Sequence, residues 1–133
     1  MARILIADDE EAIRSLIARA LRQDGHEVVT ATDGAHALDV LGQERGAFEL
    51  LLSDIRMPGG SGLDLLTKVK EKHPGLPVII MTAFSDLDSA VSAFQGGAFE
   101  YLPKPFDLPK AIELIRRAVE ESQREEVAEE RMA

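Results

Sequence analysis

Five short apolar runs alternate with five stretches of helical periodicity, and this alternation restricts the fold more than any other feature of the chain. The strand-like runs cover residues 4–7, 27–30, 50–52, 78–81 and 99–102. The first, third and fourth are apolar at every position, which indicates strands buried on both faces of a parallel sheet. The sequence therefore predicts a doubly wound α/β domain in which helices cover both faces of a five-stranded parallel sheet.

Signals for helix starts and ends lie between these runs. Apolar residues recur at helical spacing in each interval, as in Ile13, Leu16, Ile17, Ala20 and Leu21. Gly25 and Gly97 are predicted helix ends, while Asp33, Ser85 and Asp107 are predicted N-caps. The pattern weakens after Glu120, so residues 1–120 are predicted to form the domain and residues 121–133 an acidic helical linker or tail.

Charge and composition exclude several classes of protein. The 133 residues carry a formal net charge of −9 and include no cysteine, so neither a disulfide framework nor a thiolate metal site is expected. An acidic domain repels the phosphate backbone of DNA, which argues against direct nucleic acid binding. Since no apolar run reaches membrane-spanning length and no signal peptide begins the chain, we expect a cytoplasmic protein without a membrane segment.

Charged and hydroxyl side chains follow the predicted strands at the points where they end. Asp8 and Asp9 follow the first strand, Asp54 the third, Thr82 the fourth and Lys104 the fifth. In open parallel sheets, functional sites form beyond the carboxyl ends of the strands, so these side chains are expected to meet. Clustered carboxylates repel one another, and Mg²⁺ is a hard cation that would relieve this repulsion.

These residues suit phosphoryl transfer to a carboxylate. With a metal ion and Lys104 holding the phosphoryl oxygens, Asp54 could attack phosphorus and Thr82 could donate a hydrogen bond. Each residue also has a simpler interpretation. Asp8 and Asp9 suit a helix cap, Asp54 a turn, Thr82 a cap and Lys104 a solvated loop, whereas Tyr101 is an ordinary strand aromatic. The three histidines, His26, His36 and His73, are interpreted as surface residues because they lack metal-ligand spacing.

The residue set resembles the receiver domain of response regulators over about residues 3–119. The resemblance rests on Asp8 and Asp9, the run 52–59 around Asp54 with Gly62 after it, Thr82 with Ala83, and Lys104 with Pro105. It is strongest to the nitrogen regulatory protein C group, whose members join a receiver to an AAA+ ATPase and a DNA-binding domain. Gly60 and Ser61 depart from that group's pattern, as does Phe84 next to Ala83.

The resemblance implies a role for each residue. Asp54 would be the phosphoacceptor, and Lys104 and Thr82 would assist it. Asp9, Asp54 and the backbone carbonyl of Arg56 would bind Mg²⁺, with Asp8 acting largely through water. Thr82 and Tyr101 would form a switch pair that shifts the fourth helix, and we hypothesise that phosphorylation then exposes an apolar stripe of Leu87, Val91 and Phe94.

The implied function is a switch in a two-component system. The domain would have a flavodoxin-like fold with strand order 2-1-3-4-5. It would accept a phosphoryl group from a sensor histidine kinase and control an AAA+ output domain in transcription and nitrogen regulation. It would assist its own phosphorylation and dephosphorylation without being an enzyme for a separate substrate. A homodimer is left open.

Four alternatives remain. The chain could be a stand-alone receiver or a constitutive protein-interaction module. A haloacid-dehalogenase-like phosphatase would need an acid two residues after Asp54, where Arg56 stands. A flavin binder would need a phosphate loop rich in hydroxyls and glycine after the first strand, where four acids stand instead.

Overall fold

Five parallel strands form the main sheet of the computed structural model, which describes residues 2–43, 48–57, 60–83, 87–104 and 107–132. The strands are β1 (Arg3–Ala7), β2 (Glu27–Ala31), β3 (Leu50–Asp54), β6 (Val78–Ala83) and β7 (Glu100–Lys104). Two short segments, β4 (Arg56–Met57) and β5 (Gly60–Ser61), form a separate antiparallel ribbon. The sheet order is β2-β1-β3-β6-β7, which is 2-1-3-4-5 when the strands of the main sheet alone are counted. The predicted fold class and strand order are confirmed.

Helices cover both faces of this sheet, as predicted. They are α1 (Glu11–Gln23), α2 (Gly34–Gln43), α3 (Gly62–Lys72), α4 (Leu87–Gln95) and α5 (Leu108–Met132). Helices α1 and α5 pack with Ile4 and Ile6 on one face, whereas α2, α3 and α4 pack with Leu5 and Ala7 on the other. Successive strand side chains point to opposite faces, so a strand between two helical layers must be apolar at every position. None of the described helices combines the length and apolarity needed to cross a membrane.

The predicted helix boundaries are largely present. Gly25 and Gly97 adopt positive φ values of 90° and 98° just after α1 and α4, a conformation that favours glycine. Asp33 accepts a hydrogen bond from the His36 amide, and Asp107 accepts one from the Lys110 amide, as caps do. The predicted cap at Ser85 lies outside the described residues.

Three strands extend further than predicted, and the residues added to them are predicted site residues. The sequence placed Asp54, Thr82 and Lys104 beyond the strands, but they lie within β3, β6 and β7. In the sheet, Asp54 is paired with Met81, Thr82 with Pro103 and Ala83 with Lys104. Strand pairing is made by the backbone, so it continues after the apolar side chains end.

The tail predicted for residues 121–133 belongs to a long helix as far as it is described. Helix α5 continues without interruption to Met132, and Ser122 is still buried. Whether this segment acts as a linker stays a prediction.

Candidate phosphoacceptor site

Lys104 contacts three carboxylates at the carboxyl end of the sheet. Its Nζ lies 3.2 Å from Asp54 Oδ2, 3.5 Å from Asp8 Oδ2 and 3.2 Å from Glu10 Oε1. Lys104 ends β7 and Asp54 ends β3, so the lysine side chain reaches across the end of β6. The topology therefore brings together acids and a lysine that are far apart in sequence, as the strand-end argument predicted.

The backbone around Asp8 holds its carboxylate in place. The Asp8 amide donates to the Ala31 carbonyl of β2, and the Asp8 carbonyl accepts a hydrogen bond from Arg14 of α1. The Glu10 amide donates to Asp8 Oδ1 at 2.9 Å. With Asp8 fully buried, these contacts fix a carboxylate next to Asp54 in an interior with little access to water.

The pKa values of both Asp8 and Lys104 are raised in this cluster. Burial, together with the charge of Asp54, raises the pKa of Asp8 to about 6, although hydrogen bonds from the Glu10 amide and Lys104 oppose the change. Burial alone would lower the pKa of Lys104, but the charges of Asp54 and Asp8 and hydrogen bonds to Asp54 and Glu10 outweigh it and raise the pKa. One ammonium thus faces three acids, an excess of negative charge that suits a further cation.

The oxygen donors fit a magnesium ion. One carboxylate oxygen from each of Asp8, Glu10 and Asp54 lies within 4.8 Å of the others. Hard carboxylate donors in a small group, open to water at one side, are the ligands that Mg²⁺ prefers. Asp9 is exposed and does not belong to this group, so the structure does not bring all the predicted ligands together. Arg56 is exposed at the start of β4.

Glu10 is the site residue that sequence reasoning did not single out. Its position directly after two aspartates placed it in the acidic run, but the spacing gave no reason to prefer it to Asp9 or Glu11. Its carboxylate reaches Lys104 because the chain turns between β1 and α1, and a linear pattern does not show that direction.

Gly62 allows α3 to begin against the end of β3. A Cβ at this position would lie 2.3 Å from the Asp54 carbonyl oxygen and 2.8 Å from Ile55 Cα. Ser61 completes the junction, because its side chain and that of Asp64 form a reciprocal capping box at the start of α3. The departure at Gly60 and Ser61 thus supplies a helix cap that the sequence analysis missed.

The two members of the predicted switch pair lie on the face of the sheet that α4 covers. Tyr101 is paired with Ile80 and Pro103 with Thr82, and residues two apart on a strand share a face. Thr82 is buried, whereas Tyr101 is half-buried and its ring meets Phe94 of α4 edge to face at 5.4 Å. Phe84, Pro58 and Pro105 lie outside the described residues.

Two residues of the predicted apolar stripe on α4 are exposed in this structure. Val91 is 50% exposed and Phe94 is 43% exposed. A change of this exposure on phosphorylation stays a prediction. The side chain of Leu87 is outside the described part of the chain.

None of the described histidines joins the acidic cluster as a possible metal ligand. His36 is exposed and His73 is half-buried, and the described residues place no histidine in a possible metal-ligand group. His26 was wrongly interpreted as a surface residue. Its side chain is only 11% exposed, and its Nε2 lies 3.3 Å from Asp24, which also pairs with Arg116 of α5.

Comparison with known proteins gives a consistent result. Residues 4–116 match the response regulator receiver domain family. The chain is 50% identical over 123 residues to the DNA-binding transcriptional regulator NtrC of Escherichia coli strain K12, covering 92% of this chain and 26% of that protein. NtrC of Klebsiella pneumoniae is 51% identical over 121 residues, which cover 91% of this chain and 25% of that protein. The chain therefore spans about a quarter of the length of these relatives.

Solved structures agree with the family match. The receiver domain of NtrX from Brucella abortus has a TM-score of 0.83 at 39% identity, covering 88% of this chain and 98% of that one. A receiver domain protein from Clostridium thermocellum has a TM-score of 0.88 at 36% identity, with coverage of 92% and 98%.

Proposed function

Because the chain belongs to the response regulator receiver family, whose members are signalling switches, we propose that Asp54 accepts a phosphoryl group from a sensor histidine kinase. The observation that carries this proposal is the contact of 3.2 Å between Lys104 Nζ and Asp54 Oδ2, at a strand end where three carboxylates meet. An ammonium at this distance can neutralise negative charge on an incoming phosphoryl group, and an oxygen of the Asp54 carboxylate can act as the nucleophile.

In the proposed reaction, the phosphoryl group starts on a histidine imidazole of the kinase. An Asp54 oxygen forms a bond to phosphorus while the bond between phosphorus and that imidazole breaks. The departing imidazole takes up a proton, and Asp54 becomes an acyl phosphate. Lys104 neutralises charge on the phosphoryl group, and the Thr82 hydroxyl donates to one of its oxygens. A bound Mg²⁺ would supply further positive charge to the phosphoryl oxygens.

In the proposed site, Mg²⁺ binds Asp8, Asp54 and the backbone carbonyl of Arg56, and Asp9, which is exposed in this structure, would turn toward the ion to join them. Attack of water on phosphorus would later release phosphate and restore Asp54. The domain thus assists its own phosphorylation and slow dephosphorylation but turns over no separate substrate.

We further propose that this domain is the regulatory part of a longer protein. Its relatives named NtrC are DNA-binding transcriptional regulators about four times as long, and a longer NtrX structure contains ATP. The output controlled by Asp54 would accordingly be an AAA+ transcription activator in nitrogen regulation, and the protein would act in the cytoplasm. With a net charge of −9, this domain would not itself bind DNA.

The conformational change would be transmitted from Asp54 to α4. We propose that Thr82 moves toward the phosphoryl group and that Tyr101 follows it, which alters the contact between Tyr101 and Phe94. The exposed Val91 and Phe94 favour one alternative, a protein-interaction module that acts without phosphorylation.

The decisive experiment is intact-mass analysis after incubation with Mg²⁺ and acetyl phosphate. Wild type should gain one phosphoryl group in a Mg²⁺-dependent manner. The Asp54→Ala variant should gain none, and the Asp39→Ala variant, which removes an exposed aspartate from α2, should behave as wild type. Absence of labelling, together with no response to beryllofluoride, would favour the constitutive interaction module.

A further inference from the structure

Every donor of the Lys104 ammonium has a carboxylate partner in this structure. An ammonium has three N–H groups, and Lys104 Nζ has three carboxylate oxygens within 3.5 Å, one each from Asp8, Glu10 and Asp54. The same three carboxylates are the possible metal-ligand group. The ammonium and a divalent cation therefore draw on the same three carboxylates.

The three partners differ in their surroundings. The side chains of Asp8 and Asp54 are 0% and 8% exposed, whereas that of Glu10 is 59% exposed and lies at the rim of the site. The two buried carboxylates have few other ways to be neutralised, so a divalent cation gains most by binding them. A cation at these oxygens repels the ammonium, which must then move away from them.

From this arrangement we infer that Glu10 is a positioning residue, which retains the Lys104 ammonium at the rim when a divalent cation binds Asp8 and Asp54. Glu10 suits this role because its backbone amide is anchored on Asp8 while its carboxylate is solvated and can move with the lysine. Glu10 thereby lowers the competition between Lys104 and the metal ion and keeps the lysine near Asp54 for the phosphoryl group. The inference rests on the proposed metal-dependent function.

Mg²⁺ affinity of the unphosphorylated protein tests the inference, with Glu11 as the matched control. Glu11 is the next residue, is exposed at the start of α1 and carries the same charge. Glu10→Gln and Glu11→Gln therefore remove equal charge at nearly the same place. We expect Glu10→Gln to weaken Mg²⁺ binding about fivefold relative to Glu11→Gln, because a charged hydrogen bond of this kind contributes roughly that factor.

The same pair in a Lys104→Met background separates positioning from direct metal ligation. If Glu10 acts through Lys104, the difference between Glu10→Gln and Glu11→Gln should disappear without the lysine. A difference that persists would mean that Glu10 binds the metal itself, and equal affinities of the two variants in the wild-type background would also overturn the inference. If wild type bound no Mg²⁺, the metal part of the proposed function would fail as well.

A spectroscopic measurement avoids reliance on the Lys104 variant. The NMR resonance of the Lys104 Cε methylene should be the same in Mg²⁺-bound wild type and Glu11→Gln but shifted in Glu10→Gln. Identical resonances in all three proteins would contradict the inference, since a lysine held by Glu10 must sense its removal.

Discussion

At the scale of single residues, burial in the folded protein disfavours the negative charge of Asp8. Its carboxylate is fully buried beside Asp54, and its pKa is raised from the ordinary value of 3.8 to about 6. Because the folded pKa is the higher one, the folded state binds the extra proton. The stabilisation from that proton is fully present below the unfolded pKa and is lost as pH rises through about 6.

Replacement of Asp8 by asparagine should therefore stabilise the metal-free protein at neutral pH. The amide keeps an acceptor for the Glu10 N–H but carries no charge. We expect the free energy of unfolding of Asp8→Asn to exceed that of wild type by about 3 kcal/mol at neutral pH, and the difference to vanish toward pH 4, as roughly follows from the rise of the pKa from 3.8 to about 6. Urea unfolding with a chelator, across this pH range, measures it.

The exposed Asp39→Asn variant is the control, since it removes a charge from the surface of α2. A difference between Asp8→Asn and wild type that stays constant between acid and neutral pH would show that the buried charge of Asp8 is not the cause.

Sequence reasoning placed Asp8, Asp54 and Lys104 at one edge of the sheet because strand-end positions can be read from a linear pattern. The topology of a parallel sheet then brings Asp54 and Lys104 together. What the pattern could not show was the direction of adjacent side chains in a turn. Asp9 and Glu10 are neighbours, yet Glu10 contacts Lys104 while Asp9 faces solvent.

At the scale of elements, the start of α3 fixes the end of β3. The Gly62 amide donates to the Ile55 carbonyl at 2.7 Å, and no Cβ fits between the helix and the Asp54 backbone. The sequence indicated Gly62 only as part of a motif, because the close approach of two backbones is a tertiary feature.

Gly62→Ala should destabilise the protein and misplace Asp54. The new methyl group would press on backbone atoms that cannot rotate away, so a loss on the order of 2–4 kcal/mol in the free energy of unfolding is expected. Gly42→Ala in α2 is the control. A Cβ there meets nothing within 4 Å, so alanine should be neutral or should stabilise by about 0.5–1 kcal/mol. Equal stability of the two variants would contradict the close contact.

Helix α4 is thinly packed compared with α3. Of the side chains described in α4, Ala93 is buried while Val91 and Phe94 are exposed, whereas α3 buries Leu65, Leu66 and Val69. Helices with few buried contacts open at low free energy, which suits an element with two arrangements.

Amide hydrogen exchange should detect this difference and its response to activation. We expect residues 87–95 to exchange faster than residues 62–72 in the resting protein, and beryllofluoride with Mg²⁺ to change exchange mainly in α4. The Asp54→Ala variant should show no such change. If exchange in α4 were unaffected in wild type, α4 would not be the responsive element.

For the whole molecule, the sheet joins two cores, and α5 extends one of them. Ala111, Ile115, Ala118 and Val119 of α5 pack against the β1 and β3 face. The burial of Ser122 shows that contact continues past the predicted domain boundary at residue 120. An apolar period could not show this, because a buried serine adds nothing to a hydrophobic pattern.

Truncation tests where the domain ends. A chain that stops after Ser122 loses four Glu and two Arg and so changes its net charge from −9 to −7, but it keeps the described buried side chains of α5. We expect the free energy of unfolding of this chain to lie within about 0.5 kcal/mol of that of the full chain, and its rate of phosphorylation to be the same.

A chain that stops after Arg117 lacks buried Ala118 and Val119. Its free energy of unfolding should be lower by about 3 kcal/mol. If the longer truncation product were as unstable as the shorter one, residues 123–133 would contribute to the fold of the domain, and its boundary would lie further along α5 than burial indicates.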